Sequence, residues 1–387
     1  MAVVPAGFEV EVIWRGRRVR AFVPELLEKR DLELDVRTAA KVAVAANEVG
    51  HAADALTADY EPLARLLLRA EGLASSYIEG ITAPVVDIVL AEEHAGRVAS
   101  SAASLVAANL VTVTDAVADA ARDAPLSVEL LCAWQQMLLT GSPTPERYVG
   151  RVRDEQGWIG GTSPLDAHLV TPPPGELPRL LDDLVAYANR SDVDAVTQAS
   201  VTHAQFEIIH PFADGNGRVG RVLVSWLLTR RLSLVVPPPV SVAIASDVSG
   251  YASGLVLFRL GDHRRWIQWF ANAVTRGGTE QQRLISRVEE IRQGWHAQLA
   301  SLDRPPRSDA AIHAAIGLLP RHLVLTSETL VSELGLSRKT AVATLRRLVE
   351  VGILTEQGSL QGARSGRPAT VYASAELLGL AGTSALR

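Results

Sequence analysis

His210-Pro211-Phe212-Ala213-Asp214-Gly215-Asn216-Gly217-Arg218-Val219-Gly220-Arg221 is the stretch on which the reading of this 387-residue chain turns. Upstream, Val201 to Ile209 has the pattern of an apolar helix. Pro211 must end it, because a proline disfavours helix in the residue before it. Downstream, Arg218 to Arg231 reads as a new amphipathic helix. Between them Asp214, Gly215, Asn216 and Gly217 suit a tight turn with positive φ. A glycine turn running into a helix N-terminus aims several backbone N–H groups at one spot, and the positive end of the helix dipole favours an anion there. Arg218 and Arg221, three residues apart, are neighbours on one helical face. A histidine and a carboxylate share the same twelve residues. Phosphate cradle, metal-compatible carboxylate, two cations and a candidate general base point to a nucleotide site. The alternative, a helical corner with ordinary surface charges, gives these polar residues no common mechanism.

The length suggests two or three domains. A hydrophobic content of 48% with 21% charged residues supplies ample core and argues against a disordered chain. The net charge of −5 excludes a globally basic nucleic-acid coat but leaves local patches open. The single cysteine, Cys132, permits no internal disulfide and fits a reducing cytoplasm. It sits in the apolar helical stretch Val128 to Leu139, a core position rather than that of a nucleophile. Glu9 and Glu11 stand early, and no apolar run there has the length of a signal. No uninterrupted apolar stretch reaches spanning length, so no membrane is expected. Residues 232–244 come nearest, and Pro237 to Pro239 interrupt them.

Along the chain, Phe8 to Trp14 alternates apolar and polar residues as a strand does, and Val19 to Val23 pairs with it across Gly16-Arg17. Helical patterns cover Arg37 to Leu56, Leu63 to Tyr77, Val86 to Glu93, Ser101 to Ala121, Val128 to Leu139 and Glu176 to Asn189. Tyr148 to Gly161 differs in texture and reads as a short β-hairpin. Asp247 to Leu260 and Arg264 to Val274 continue the helical core, with Trp266, Trp269 and Phe270 as packing residues rather than a base-stacking platform. Thr279 to Leu302 is a further, polar-faced helix. Asp303 to Arg307 is the clearest linker. Beyond it lie helices at Asp309 to Leu319, Glu328 to Leu334 and Arg338 to Glu350, with caps at Thr326 or Ser327 and at Ser337. Strands follow at Ile353 to Glu356 and Thr370 to Ala373. This order resembles a winged helix-turn-helix domain. Residues 308–387 hold eight Lys/Arg against six Asp/Glu. Arg338, Lys339, Arg346 and Arg347 fall on the recognition helix and Arg364 and Arg367 on the wing, where DNA phosphate contact needs cations. The alternative use of this domain is protein contact or dimerisation.

The opening stretch resembles the signature of the Fic family, H-x-F-x-[DE]-G-N-G-R-x-x-R. His210, Phe212, Asp214, Gly215, Asn216, Gly217, Arg218 and Arg221 occupy its eight fixed positions. The resemblance implies a mostly α, Fic-type helical bundle with a short β-hairpin flap. It also implies a protein adenylyltransferase, moving AMP from ATP to a hydroxyl of a target protein or of itself. His210 would accept the hydroxyl proton, Asp214 would hold Mg2+, and Asn216 with the N–H groups around Gly215 and Gly217 would grip the α- and β-phosphates. Arg218 would neutralise the leaving pyrophosphate, Arg221 would hold the γ-phosphate, and Phe212 would bury its ring. Ser75, Glu79 and Gly80 match the family's inhibitory motif [ST]-x-x-x-E-[GN], in which the carboxylate pairs with an arginine that otherwise holds phosphate. Residues Val152, Trp158, Ile159 and Gly160 correspond to the flap that docks an extended target segment.

The expected organisation is therefore an N-terminal region 1–100 with the inhibitory helix at about 63–80, a catalytic domain 101–302 and a winged-helix domain 308–387. Transfer of another nucleotidyl or phosphoryl group, removal of AMP with Glu79 orienting water, or a DNA-binding regulator that senses nucleotide remain as alternatives. The target and the oligomeric state, a homodimer included, stay open.

Overall fold

In this computed structural model, which describes residues 6–27, 32–56, 60–94, 100–308, 310–360 and 368–386, the chain opens as a β-hairpin and then turns helical. β1 (Gly7–Trp14) and β2 (Arg17–Pro24) pair antiparallel across Arg15 and Gly16, both of positive φ. There follow α1 (Val36–Asp54), α2 (Tyr60–Ile78), α3 (Val85–Glu93), α4 (Ser101–Ala121) and α5 (Val128–Leu138). Asp35, Ser100 and Ser127 cap α1, α4 and α5 by accepting from the N–H groups of Thr38, Ala103 and Leu130. A minimal sheet of β3 (Trp158–Ile159) and β4 (Leu169–Val170) separates these from α6 (Leu177–Ala188), α7 (Ala195–Ile209), α8 (Asn216–Leu232), α9 (Val240–Ala245), α10 (Val248–Arg259) and α11 (His263–Ala300).

α8 lies at the centre. Thirteen of its residues between Asn216 and Thr229 are buried, so it is enclosed on all faces rather than amphipathic. Every residue of α7 is buried too. Both helices therefore read as apolar at their cores, and their polar side chains must find partners inside the protein. α4 is long and apolar enough to cross a membrane by length and composition, and it, rather than 232–244, comes nearest to doing so. It lies against α2, α3, α5 and α8. A single helix, α11, covers His263–Ala300, where two were expected, at Arg264 to Val274 and Thr279 to Leu302. Gly277 and Gly278 do not break it. A Cβ on the first would meet Val240 Cα at 3.3 Å, and one on the second Glu48 Cγ at 2.9 Å, so these glycines admit α9 and α1 to close range. Trp266 and Phe270 are fully buried, and Trp266 donates to the Ser200 carbonyl at 2.8 Å.

The C-terminal unit contains α12 (Ala311–His322), β5 (Val324–Leu325), α13 (Ser327–Leu334), α14 (Arg338–Glu350), β6 (Thr355–Leu360), β7 (Ala369–Ala373) and α15 (Ala375–Leu386), the last of which the sequence pattern did not suggest. Its strands run in the order β5-β7-β6. Thr326 caps α13, Ser337 caps α14, and Gly335 turns between them at φ 63°. Its core is continuous with that of α2, α3 and α4: Leu66, Leu67 and Ala70 belong to one cluster with Ile316, Leu319 and Leu377. At this joint the buried Arg69 donates to Glu92 at 2.8 Å, to Glu93 at 3.0 Å and to the Arg321 carbonyl. His322 lies 3.2 Å from the same Glu93 carboxylate.

Arg69→Ala should therefore destabilise the whole protein. Arg65 and His322 remain beside Glu92 and Glu93, so the loss belongs at the lower end of the roughly 3–5 kcal/mol that breaking a buried pair costs. Thermal unfolding measures it, and an unchanged midpoint would show that the joint contributes nothing.

Candidate active site

The turn between α7 and α8 is held by its own side chains. His210 ends α7 in the left-handed region, φ 50° and ψ 60°, and Gly215 caps α8 at φ 84°. Asn216 Oδ1 accepts from the Phe212 N–H at 2.9 Å, and its Nδ2 donates to the Phe212 carbonyl at 2.8 Å. Its side chain thus clamps the loop, and what it presents to a ligand is its backbone N–H. Phe212 is buried against Phe206, ring centroids 6.2 Å apart. Asp214 accepts from the Gly215 N–H and from Thr144 Oγ1, each at 2.7 Å, and remains exposed. Gln135 fastens the loop from α5 by donating to the Asp214 carbonyl at 3.2 Å. His210 Nδ1 lies 3.3 Å from the Glu207 carbonyl. With Nδ1–H donating there, the free lone pair is on Nε2.

Arg153 also belongs to the site, and sequence reasoning passed over it. Its side chain is buried and donates to the carbonyls of His210 at 2.8 Å, Glu155 at 2.8 Å and Pro172 at 2.7 Å, and to Thr171 Oγ1 at 2.9 Å. Burial lowers its pKa to about 10. It ties the histidine to the base of the β3–β4 sheet. The one trace in sequence is an arginine between Gly150 and Gly157 in a segment with little local structure to hold it.

The flap differs from expectation. A hairpin within Tyr148 to Gly161 is absent, because a 3-10 turn at Glu146–Tyr148 and the Arg153 anchor occupy its first half. Trp158 pairs instead with Val170, and Ile159 with Leu169. Val152 lies outside the strand, half-buried against the main core. Gly160 follows β3 at φ 70°.

The two signature arginines have opposite surroundings. Arg221, 2% exposed, donates from Nε to Ser75 Oγ at 2.9 Å, and from Nη2 to the Ser75 carbonyl at 2.9 Å and to Glu79 Oε1 at 2.7 Å. Burial alone would lower its pKa; the Glu79 carboxylate reverses this and holds the guanidinium above its usual value. Glu79 also rests on Gly217, where a Cβ would collide with its Oε1. Gly80, at φ 72°, turns the chain away after α2. Arg218 is likewise buried, at 5% exposure, yet its Nε and Nη1 have no hydrogen-bond partner. Burial lowers its pKa. A buried guanidinium with unpartnered nitrogens beside a helix N-terminus is an environment that favours an anion.

Three cavities meet at His210. One of about 360 Å³ is lined by Glu79, Asp214, Gly215, Gly217 and Arg218. A more apolar one of about 370 Å³ is lined by Ile78, Ile159, Leu169, Tyr251 and Leu255, with Arg221 at one end. The third, about 250 Å³, lies between Trp158 and Phe212. Among the described residues no group of three or more His, Cys, Asp and Glu is placed to hold a metal. Of the basic residues on α14, Arg338, Lys339, Arg346 and Arg347 are exposed, and Arg347 pairs with Glu350 at 3.0 Å. Arg364 and Arg367 lie outside the described residues.

Below the site is a buried titratable layer. Burial raises Glu207 to about 8 and Glu71 to about 7, and lowers His210 to about 4 and His203 to about 3. Glu71 accepts from Ser241 N at 2.8 Å and from its hydroxyl, whereas Glu207 Oε1 has no partner. The folded carboxyls keep protons that the unfolded chain releases near its ordinary value of about 4.3, so they cost stability as pH rises from there toward 7–8. The folded imidazoles refuse protons that the unfolded chain takes up below about 6.5, so they cost stability as pH falls. The two effects oppose each other up to about pH 6.5, and above it only the carboxyls act. We expect the melting temperature of the wild type to fall between about pH 6.5 and 8, and that of Glu207→Gln to fall less. Identical pH profiles would rule out a protonated Glu207.

Residues 125–228 match the model of the Fic/DOC family. The chain is 30% identical over 125 residues to protein adenylyltransferase fic-1 of Caenorhabditis elegans, a match covering 32% of this chain and 22% of the relative. It is 32% identical over 126 residues to protein adenylyltransferase Fic of Drosophila melanogaster, covering 32% and 23%. A probable protein adenylyltransferase of Aquifex aeolicus is 45% identical over 58 residues, 15% and 18% of the two chains. The matched segments thus span less than a quarter of these relatives. In fold, the chain is similar to a Fic family protein from Desulfovibrio desulfuricans, with TM-score 0.52 and 23% identity over 88% of this chain and 97% of that one. A Fic domain containing signaling protein from Bacteroides thetaiotaomicron gives 0.51 and 17% over 62% and 97%. Sequence match, fold and loop geometry agree: the chain carries a Fic domain, built from α5 to α8 around the His210 turn.

Proposed function

We propose that this protein is an adenylyltransferase that moves AMP from ATP to a hydroxyl of a target protein or of itself, and that Glu79 holds it inactive. The observation that carries the reading is Arg218, which lines the cavity that His210 also lines, beside the α8 N-terminus, and keeps two buried nitrogens without a hydrogen-bond partner. Phosphates of ATP supply the missing acceptors. The apolar cavity suits the nucleoside, and Arg221, once free of Glu79, suits the terminal phosphate. Asp214 is the residue to hold Mg2+: its carboxylate is exposed beside the phosphate cavity, and one carboxylate with phosphate oxygens is a usual magnesium environment. The ion would supply charge neutralisation on the phosphates.

In the reaction, the target hydroxyl gives its proton to His210 Nε2 as its oxygen bonds to the α-phosphorus. The bond from that phosphorus to the α–β bridging oxygen breaks, and pyrophosphate leaves beside Arg218 and the α8 N-terminus. Burial keeps His210 neutral and able to accept a proton at neutral pH. Phosphate charge beside it would raise its affinity for that proton. Arg153, through the His210 carbonyl, keeps the imidazole positioned. Backbone groups on the unpaired edge of β3 suit an extended target segment. This reading assigns the inhibitory helix to residues 1–100, catalysis to 101–302 and a winged helix to 308–387. Removal of AMP is the second reading, favoured by the position of Glu79, which lines two of the three cavities that meet at His210.

Glu79→Gly should raise self-modification by at least roughly tenfold with saturating ATP and Mg2+, because a charge-assisted pair is worth roughly 1.5–3 kcal/mol. Adding His210→Ala should abolish transfer while ATP still binds, and adding Arg221→Ala should cancel the gain. Intact mass after incubation reads all three. An unchanged rate in Glu79→Gly removes the inhibitory role, and loss of pre-installed AMP only when Glu79 is intact favours the second reading.

For the winged helix, exposed Arg338, Lys339 and Arg346 on α14 support contact with DNA phosphates. Arg338→Ala or Arg346→Ala should each flatten the salt dependence of duplex binding by about 0.9 in log–log slope. Absence of duplex binding by the wild type at low salt would leave α14 a protein-contact surface.

A further inference from the structure

The flap is too small to hold itself in place. Two residues on each strand do not make a stable hairpin. What holds it is the N-terminal hairpin: Val19 and Ala21 of β2 form a satellite core with Val170 of β4, and Val10, Val12, Trp14 and Ala167 pack against it. The Trp14 ring meets Trp158 of the flap edge-on, with centroids 6.2 Å apart at 71°. Trp158 in turn lines the cleft whose far side holds His210 and Phe212. The cleft lined by His210 thus has Trp158 on its wall, and Trp158 is in ring contact with Trp14, next to the turn of the β1–β2 hairpin.

That turn is positively charged. Arg18 pairs with Glu11 and Arg20 with Glu9, each at 3.3 Å, so these four charges cancel. Arg15 lies over the Trp14 ring at 4.8 Å, and Arg17 is exposed. Neither faces a carboxylate among the described residues. The flap side of the cleft carries both signs, with exposed Arg147 and Arg151 against Asp154 and Glu155. The hairpin turn is thus, like Arg259 on the apolar cavity, a place near the cleft where positive charge meets no carboxylate among the described residues.

We propose that the β1–β2 hairpin is part of the target-docking surface, and that Arg15 and Arg17 select an extended segment bearing acidic side chains beside its hydroxyl. The hydroxyl rests on the transferase reading above; the charge preference does not. A segment laid along β3 from the His210 cleft passes Trp158 and Trp14, and its flanking residues then come within reach of the two free guanidinium groups. Exposed pairs of this kind contribute modestly, so two of them give about a three- to tenfold preference at low salt, reduced by screening at high salt.

The test uses the full chain and three fluorescein-labelled peptides, a threonine flanked by glutamates, by glutamines or by lysines, with binding read by anisotropy. The wild type should bind the glutamate peptide most tightly and the lysine peptide least. Arg15→Glu/Arg17→Glu should reverse that order, and Arg15→Lys/Arg17→Lys should keep it, with melting temperatures alike. Equal affinities, no binding of any peptide at low salt, or an order unchanged by charge reversal would overturn the proposal. AMP transfer to the same peptides is measured in parallel in a Glu79→Gly background. Acid-selective binding without transfer would sink the transferase reading and leave the docking surface standing, and transfer without charge preference would do the opposite.

Discussion

A guanidinium that is 2% exposed needs an anion, and much of this structure follows from supplying one to Arg221. Its position on a helix enclosed by others leaves it almost no contact with water, apart from the cavity it lines. Without a ligand, the acceptors come from α2: the Ser75 hydroxyl, the Ser75 carbonyl and the Glu79 carboxylate. That requirement brings together residues 142 positions apart and sets where α2 must run. Arg218, three residues earlier, stays unsatisfied on two nitrogens. One arginine is satisfied by the protein and the other is not, so the two neighbours on α8 differ in charge compensation.

The partners of Arg221 are not equally easy to exchange. Arg69 is pinned by Glu92, Glu93 and the Arg321 carbonyl, Glu71 by Ser241, and Ser75 is 1% exposed, so the body of α2 is fastened at successive turns. Glu79 lies just beyond the end of α2, and its side chain is 38% exposed. It can swing away by rotating its own side chain, while withdrawing Ser75 would require the helix to move against α4, α9, α12 and α15. Ser75 is thus a permanent support for Arg221, and Glu79 is the exchangeable contact.

The turn at His210 was legible because its chemistry is local: a proline stop, glycines that permit positive φ, and polar residues at fixed spacing within one loop. The caps at Thr326 and Ser337 were legible for the same reason, and the first hairpin was legible to within one residue, its turn falling at Arg15-Gly16 rather than Gly16-Arg17. Arg153 was not, since its partners are carbonyls of residues far along the chain, and carbonyls leave no mark in a sequence. The second flap strand was missed because a two-residue strand has no periodicity to detect. The two helices read at Arg264 to Val274 and Thr279 to Leu302 are one, because the glycines between them serve close packing against α9 and α1. Burial of α8 on all faces was hidden by its arginines, which a pattern of polarity assigns to solvent.

Those arginines also explain why so polar a segment can be the centre of the fold. Arg230 and Arg231 at the far end of α8 pair with Asp123 and with the carbonyls of Arg190, Ser191 and Val193, so their charge is met at the surface of the bundle. At the near end Arg218 and Arg221 have no such surface. A buried cation costs stability unless an anion meets it, and here the protein pairs Glu79 with Arg221 while Arg218 has no ion pair and feels Asp214 and Glu79 only through space. The deficit is stored at the N-terminus of α8, where the helix dipole also favours negative charge. Negative charge placed there meets both guanidinium groups and the helix dipole together, which the Glu79 carboxylate, paired to Arg221 alone, does not.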